Sequence, residues 1–162
     1  GASSSSAAAA VAAELECIIR SPVIEARIAA AELALLLLPL RCFSAAAAPE
    51  ARSGLVAAGV VAQADTASSV RRAADRLWRA ASEAGVGNPG KQLKDMRPLL
   101  LERLANDFAS GKASVAAAAG RAAAQLQGRL ETSKGVLEDL APRICDALGS
   151  DDASTQRSAC SG

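Results

Sequence analysis

Alanine is the feature of this sequence that most limits its fold, because it supplies 41 of the 162 residues. Alanine is the best helix former and is depleted in strands. Aromatic residues make up only 2% of the chain, so few side chains could fill a β-sandwich or line a deep ligand pocket. The composition therefore predicts an all-α protein of about one domain.

The sequence contains no histidine, which is the usual general base and the commonest metal ligand near neutral pH. No serine lies in a G-x-S-x-G turn, and the four cysteines form no C-x-x-C pair. We therefore expect a protein that is not an enzyme, with no catalytic residue, cofactor or metal ion. Unpaired cysteines also favour a reducing compartment, which predicts a cytoplasmic location.

A local pattern recurs along the chain at intervals near 44 residues. A short polar turn precedes an Ala-rich helix in segments that begin at Pro22, Ser68, Ala113 and Ser154. A second pattern has an apolar residue, an acid and a leucine two, four and six positions after a proline. It starts at Pro98 and returns at Pro142. Two-helix units of this period are typical of HEAT and armadillo repeats.

These repeats predict a right-handed α–α superhelix of about three and a half helical hairpins. The units are 11–47, 48–88, 89–132 and a truncated 133–162, after a Ser/Ala-rich tail or linker at 1–10. The alternative is an ordinary helical bundle whose alanine content reflects genomic bias. The expected helices are 11–20, 23–38, 49–63, 67–84, 91–106, 113–130 and 136–148, with a last one opening at 150–152. We expect Asp65 or Thr66 to cap helix 67–84, Gly85 to stop it, and Pro98 to kink or delay helix 91–106.

Positive charge is concentrated in residues 66–130, which hold eleven Lys or Arg against five Asp or Glu. Arg72, Arg76 and Arg79 share one helix face through i, i+4 and i+7 spacing. They are a candidate binding surface for an acidic protein or for RNA phosphates. The alternative is a solvated face, partly neutralised by Asp75 and Glu83.

The opposite face of the same helix is apolar: Val70, Ala73, Ala74, Leu77, Trp78 and Ala81. Trp78 is therefore predicted to anchor the core, the alternative being a binding hot spot. Acidic residues 138, 139 and 146 are expected to form a solvated face, because no cation-binding loop accompanies them.

One segment raises an enzymatic alternative. Gly85–Lys91 fits the G-x-x-x-x-G-K core of a phosphate-binding loop and would imply a nucleotide-binding enzyme. However, Gln92 stands where that motif requires Ser or Thr, and an Arg-rich helix precedes it instead of a strand. We therefore interpret it as a loop between repeats.

The longest apolar stretch, Ile28 to Leu40, contains Glu32 and Pro39. It is shorter than the ~20 residues that a membrane span needs, so we expect no membrane partner. No small-molecule substrate is expected either.

Residues 66–148 resemble the general-control translational activators, giant cytoplasmic HEAT-repeat proteins that sit on ribosomes. The shared features are the Ala74–Trp78 pattern, the loop with Gly85 and Pro89, the Leu-rich segment 99–104, the Ala-Ser-Val at 113–115 and the Glu-Thr at 131–132. Ala116 departs from the arginine usual in that family, and the loop at 107–112 is longer.

The resemblance implies a non-catalytic scaffold that binds ribosomes and helps to activate the starvation-responsive kinase of translation initiation. Other HEAT scaffolds stay as alternatives: a TOG-type tubulin-binding array, a proteasome adaptor or a transport receptor. In each case the expected partners are proteins, with ribosomal RNA phosphates as a further partner of the arginines.

Overall fold

The structure, a computed structural model, describes residues 2–130 and 135–149. Regular structure in these two ranges is entirely helical, which confirms the all-α prediction. The helices are α1 (Ala2–Ile18), α2 (Ile24–Leu37), α3 (Pro49–Ala62), α4 (Ser68–Ala84), α5 (Pro89–Asp95), α6 (Arg97–Phe108), α7 (Ala113–Leu130) and α8 (Val136–Gly149), with a 3-10 turn at Arg41–Phe43.

Five of these helices, α2, α3, α4, α7 and α8, lie within a residue or so of their predicted bounds. The N-terminal prediction was wrong, because α1 begins at Ala2 and includes most of the segment assigned to a tail or linker. Alanine supports helix throughout this Ser/Ala run, and Ala8 is buried. The predicted last helix from 150 lies outside the described residues.

The helix predicted at 91–106 is two helices. α5 ends at Asp95, and α6 begins at Arg97 with Pro98 in its first turn. A proline ring clashes with the carbonyl four residues earlier but is accommodated in a first turn, so Pro98 delays the helix as expected.

The chain divides into two compact units, with the boundary between Gln92 and Leu93. In the first unit, α1 packs against α2 and α3, and α4 packs against α2 and α3. If α1–α2 and α3–α4 are taken as two successive hairpins, the first helix of one hairpin contacts the first helix of the next, and the second contacts the second. Among its core side chains, Leu55, Val60, Val70 and Leu77 are the largest that are at most 1% exposed.

Gly59 allows α3 and α4 to approach closely. A Cβ atom built on Gly59 would lie 2.6 Å from Cδ2 of Leu77 on α4. Leu77 is fully buried, so its side chain has little room to move away. The absence of a side chain at Gly59 therefore sets the separation of these two helices.

Buried arginine contacts fasten α2 to the segment that leads into α4. The guanidinium of Arg27 makes a bidentate pair with the Asp65 carboxylate, at 2.9 and 3.1 Å, and donates to the Ser21 carbonyl. The Asp65 carboxylate also accepts the N–H of Ala67 at 2.9 Å. The N-cap position itself is Ala67, so the prediction that Asp65 or Thr66 occupies it was wrong. Asp65 instead joins the turn to α2.

Trp78, which is predicted to anchor the core, is partly buried. The other five residues of the predicted apolar face of α4 are all buried. At 100° per residue, Trp78 lies about 90° from the centre of that face. Its ring covers the edge of the core instead of filling it.

In the second unit, α6 packs against α7 and α8, and α7 also contacts α8. Its core is built from leucines that are at most 1% exposed: Leu100, Leu104, Leu126, Leu130 and Leu140. An ion pair between Arg97 and Asp139 joins the starts of α6 and α8. Of the predicted acidic face, Glu138 and Asp146 are exposed, whereas Asp139 is taken up by this pair.

Candidate partner-binding surface on α2 and α4

Three arginines project from the outer face of α4. Arg72, Arg76 and Arg79 are all exposed, and their spacing places them in one row along the helix. The buried residues of α4 occupy the opposite side. We refer to these three residues as the arginine row.

The arginine row forms one wall of an open groove between α4 and α2, with a volume of about 510 Å³. The side chains that line it come from two helices and are Ile28 and Glu32 of α2 with Ser69, Arg72, Asp75, Arg76 and Arg79 of α4. Three positive and two negative side chains therefore line the groove, together with Ile28 and Ser69.

Each carboxylate in the groove already has a partner. Glu32 Oε1 accepts a hydrogen bond from Arg76 Nη2 at 3.4 Å, in a pair whose side chains are more than half exposed. Asp75 Oδ1 accepts from the amide of Gln63 at 3.0 Å. Exposed ion pairs contribute little stability, about 0–1 kcal/mol, so the Glu32–Arg76 pair can exchange for other partners.

Arg72 and Arg79 differ from Arg76. Within residues 2–130 and 135–149, neither guanidinium makes a hydrogen bond or ion pair. Both therefore present their full donor capacity to solvent. Arginine forms bidentate hydrogen bonds with carboxylates and phosphates, so these two positions are the ones able to hold an added acid.

Two other arginines of the first unit bind backbone carbonyls within the fold. Arg52 donates to the carbonyls of Leu38 and Phe43, and Arg71 donates to those of Asp65 and Thr66. These contacts satisfy backbone acceptors in the turns between helices. Sequence analysis singled out the exposed arginines through their spacing, but nothing in the pattern revealed these turn-binding ones.

Exposed leucines follow Glu32 along α2 and just beyond its end. Leu33 and Leu36 on α2 are 45% and 68% exposed, and Leu40, just beyond the helix, is 47% exposed. The buried face of α2 is formed by small residues, Ala30, Ala31 and Ala34. α2 therefore buries three alanines and exposes two of its leucines, Leu33 and Leu36. We call Leu33, Leu36 and Leu40 the leucine row.

Two polar contacts fix the register between α2 and α4. Arg27, near the start of α2, bonds to Asp65 just before α4, and Glu32 bonds to Arg76 further along both helices. Contacts that advance in the same direction along α2 and along residues 65–76 place the two helices side by side and parallel. One turn further along each helix lie Leu36 and Arg79.

The glycine-rich loop has a different architecture from a phosphate-binding loop. It follows the helix α4, and the Gln92 amide donates to the carbonyls of Ser82 and Gly87, at 3.0 and 2.8 Å. A Cβ atom at Gly85 would lie 2.5 Å from Gln92 Oε1, so a larger residue at this position would displace the Gln92 amide. The Asn88 side chain accepts the Lys91 N–H and caps α5. These side chains tie the loop to α4.

Two further features bear on the predictions for metals and membranes. No group of three potential ligands lies close enough to hold a metal ion among the described residues. Likewise, none of the helices in the described ranges combines the length and the apolar character that crossing a membrane requires.

Comparison of the chain with protein-family models, with curated proteins and with solved structures finds no match.

Proposed function

We propose that the chain is a non-catalytic helical-repeat scaffold that binds partner proteins through the groove between α2 and α4. The observation that carries this proposal is the groove itself, whose wall holds two arginines, Arg72 and Arg79, that have no partner among the described residues, while α2 exposes leucines. Scaffolds built from stacked helical hairpins present such extended surfaces to their ligands. The proposal assigns no catalytic residue and requires no cofactor.

The packing within each unit supports the repeat architecture. In the first unit α1 contacts α3 and α2 contacts α4, and in the second unit α6 contacts α8. Stacking of first helix on first helix and of second on second is the arrangement that a right-handed α–α superhelix of HEAT-like hairpins requires. We therefore propose that both units are pieces of such a superhelix.

We further propose a role in translation control, as a segment of a cytoplasmic, ribosome-associated activator of the starvation-responsive initiation kinase. Support comes from where the quoted motifs fall. The Ala74–Trp78 pattern lies in α4, Gly85 and Pro89 lie in the following loop, 99–104 lies in α6, and 113–115 opens α7. Residues 131–132 of the pattern lie outside the described residues. TOG-type, proteasomal and transport scaffolds would use the same surface for other partners.

Ribosome co-sedimentation tests the role in translation. The full chain is pelleted with purified ribosomes at 50 to 200 mM salt, beside a variant with Arg72→Ala, Arg76→Ala and Arg79→Ala. We expect the wild-type chain to pellet and the variant to pellet less, with unchanged helical content because alanine favours helix. A chain that stays in the supernatant at 50 mM salt would contradict this role.

The salt dependence of pelleting separates two kinds of contact. If the arginine row touches RNA phosphates, the slope of log affinity against log salt falls by about 0.7–0.9 for each lost contact, so three substitutions lower it by roughly 2–3. If the row touches protein carboxylates, we expect a smaller change, because far fewer counterions are released.

A further inference from the structure

We propose that the partner which occupies the α2–α4 groove is an acidic amphipathic α-helix. Its apolar face would lie on the leucine row, and its carboxylates would pair with Arg72 and Arg79. This inference rests on the proposed function as a protein-binding scaffold, and it names the class of partner for that surface.

The leucine row supplies the apolar half of the site. Leu33, Leu36 and Leu40 together retain about half of their side-chain surface in water, although smaller residues of the same helix are buried. Leu33 and Leu36 are three residues apart on α2 and so share one helix face, and Leu40 follows shortly after the helix ends. Burial of this row under a partner is therefore favourable by the hydrophobic effect.

The charge beside the leucine row determines the character of the partner. Arg72 and Arg79 lie two turns apart on the α4 wall of the groove, and neither has a hydrogen-bond or ion-pair partner in the described part of the chain. The carboxylates of Glu32 and Asp75 already accept hydrogen bonds. A partner with acidic residues along one edge of an apolar stripe is thus complementary, and a basic one is repelled by the arginines.

A protein helix fits this surface better than a nucleic acid does. A phosphate backbone is negative along its whole length and would meet Glu32 and Asp75 within the groove. The leucine row offers nothing to a phosphate, and the groove has no aromatic side chain on which a base could stack. Discrete carboxylates on a helix can instead be placed at the arginines alone.

The probe for this proposal is a fluorescein-labelled, 18-residue amphipathic peptide of Leu, Ala and Gln with glutamates along one edge. The control peptide is identical except that lysines replace the glutamates. Binding to the full chain is followed by fluorescence anisotropy at 50 and 200 mM salt. We expect the glutamate peptide to bind, more weakly at the higher salt, and the lysine peptide to bind at least tenfold more weakly.

Matched variants assign the binding to the groove. Leu36→Gln should weaken binding about tenfold, since one largely exposed leucine no longer becomes buried. Leu137→Gln, at a leucine 61% exposed on α8, is the control and should leave binding unchanged.

Arg72→Gln with Arg79→Gln should weaken binding three- to tenfold at 50 mM salt and less at 200 mM. Lys94→Gln with Lys112→Gln, at two exposed lysines, is its control.

Several outcomes would overturn the proposal. The first is equal affinity for both peptides. The second is an equal effect of Leu36→Gln and Leu137→Gln on binding. The third is no binding of the glutamate peptide at 1 mM chain. Tight binding of a 20-nucleotide poly-uridine RNA that needs the two arginines but not Leu36 would assign the groove to nucleic acid. A dimer in light scattering that Leu36→Gln dissociates would assign it to a second copy of the chain.

The peptide assay and ribosome pelleting can fail separately. Peptide binding without pelleting would leave the helix-docking site in place and remove the role in translation. Pelleting without peptide binding would leave the role in translation in place and remove the helix-docking site. All variants lie at exposed positions, and circular dichroism confirms that each is folded before it is compared.

Discussion

α2 and α4 lie side by side in the first unit, yet they expose opposite kinds of side chain to solvent. α4 buries Val70 and Leu77 and exposes its arginines, as an ordinary amphipathic surface helix does. α2 buries only alanines and exposes Leu33 and Leu36. The inner face of α4 therefore serves stability, whereas the outer face of α2 adds little to the fold and is available for binding.

The largest expected effect comes from the inner face of α4. Leu77→Ala removes a fully buried side chain and should lower the free energy of unfolding by about 2–5 kcal/mol. Urea titration followed by the fluorescence of Trp78, the single tryptophan of the chain, reports on the unit that contains α4. A loss below about 1 kcal/mol would mean that the cavity next to Gly59 collapses and that this contact is not tightly packed.

An intermediate effect is expected at the edge of that face. Trp78→Ala should cost about 1–2 kcal/mol, less than the 3–5 kcal/mol typical of a fully buried aromatic residue, because the ring is only partly buried. Circular dichroism at 222 nm during urea unfolding is the measurement, since this variant has no tryptophan. A cost as large as that of Leu77→Ala would restore the view of Trp78 as a core anchor.

The smallest effect is expected on the outer face of α2. Leu36→Gln should change the free energy of unfolding by no more than about 0.5 kcal/mol, as for surface substitutions in general. The same urea titration measures it, and the variant should also be more soluble because it removes an exposed apolar side chain. Destabilisation near 2 kcal/mol would show that Leu36 packs within the fold, and the contrast between the two helices would disappear.

The sequence predicts α4 well because its two faces differ in chemistry. Five of the six residues assigned to the buried face of α4 are buried, and the exposed arginines follow from the same 3.6-residue period. The 3.6-residue period does not separate the two faces of α2, because Ala34 and Leu36 are both apolar. Only packing against other helices decides which of the two is buried. Residues 28–40 are almost uniformly apolar, so their pattern does not predict the leucine row.

The other differences between the predictions from sequence and the structure have local causes. α1 was predicted to begin too late because a Ser/Ala run resembles a linker in composition, although each alanine favours helix. Trp78 is only partly buried because it lies near the edge of the apolar face, about 90° from its centre. The anchoring of α2 by Arg27 could not be predicted, since its partner Asp65 is 38 positions away.

The contact between Gly59 and Leu77 has a consequence for how sequences of this fold can change. The two positions share one small volume, so a methyl group gained at 59 must be matched by carbon lost at 77. Gly59→Ala and Leu77→Ala should each be harmful alone and partly compensate each other when combined, with a favourable coupling in a double-mutant cycle. In an alignment of related chains, these two sites should covary in size, and a glycine at the first should accompany a large residue at the second.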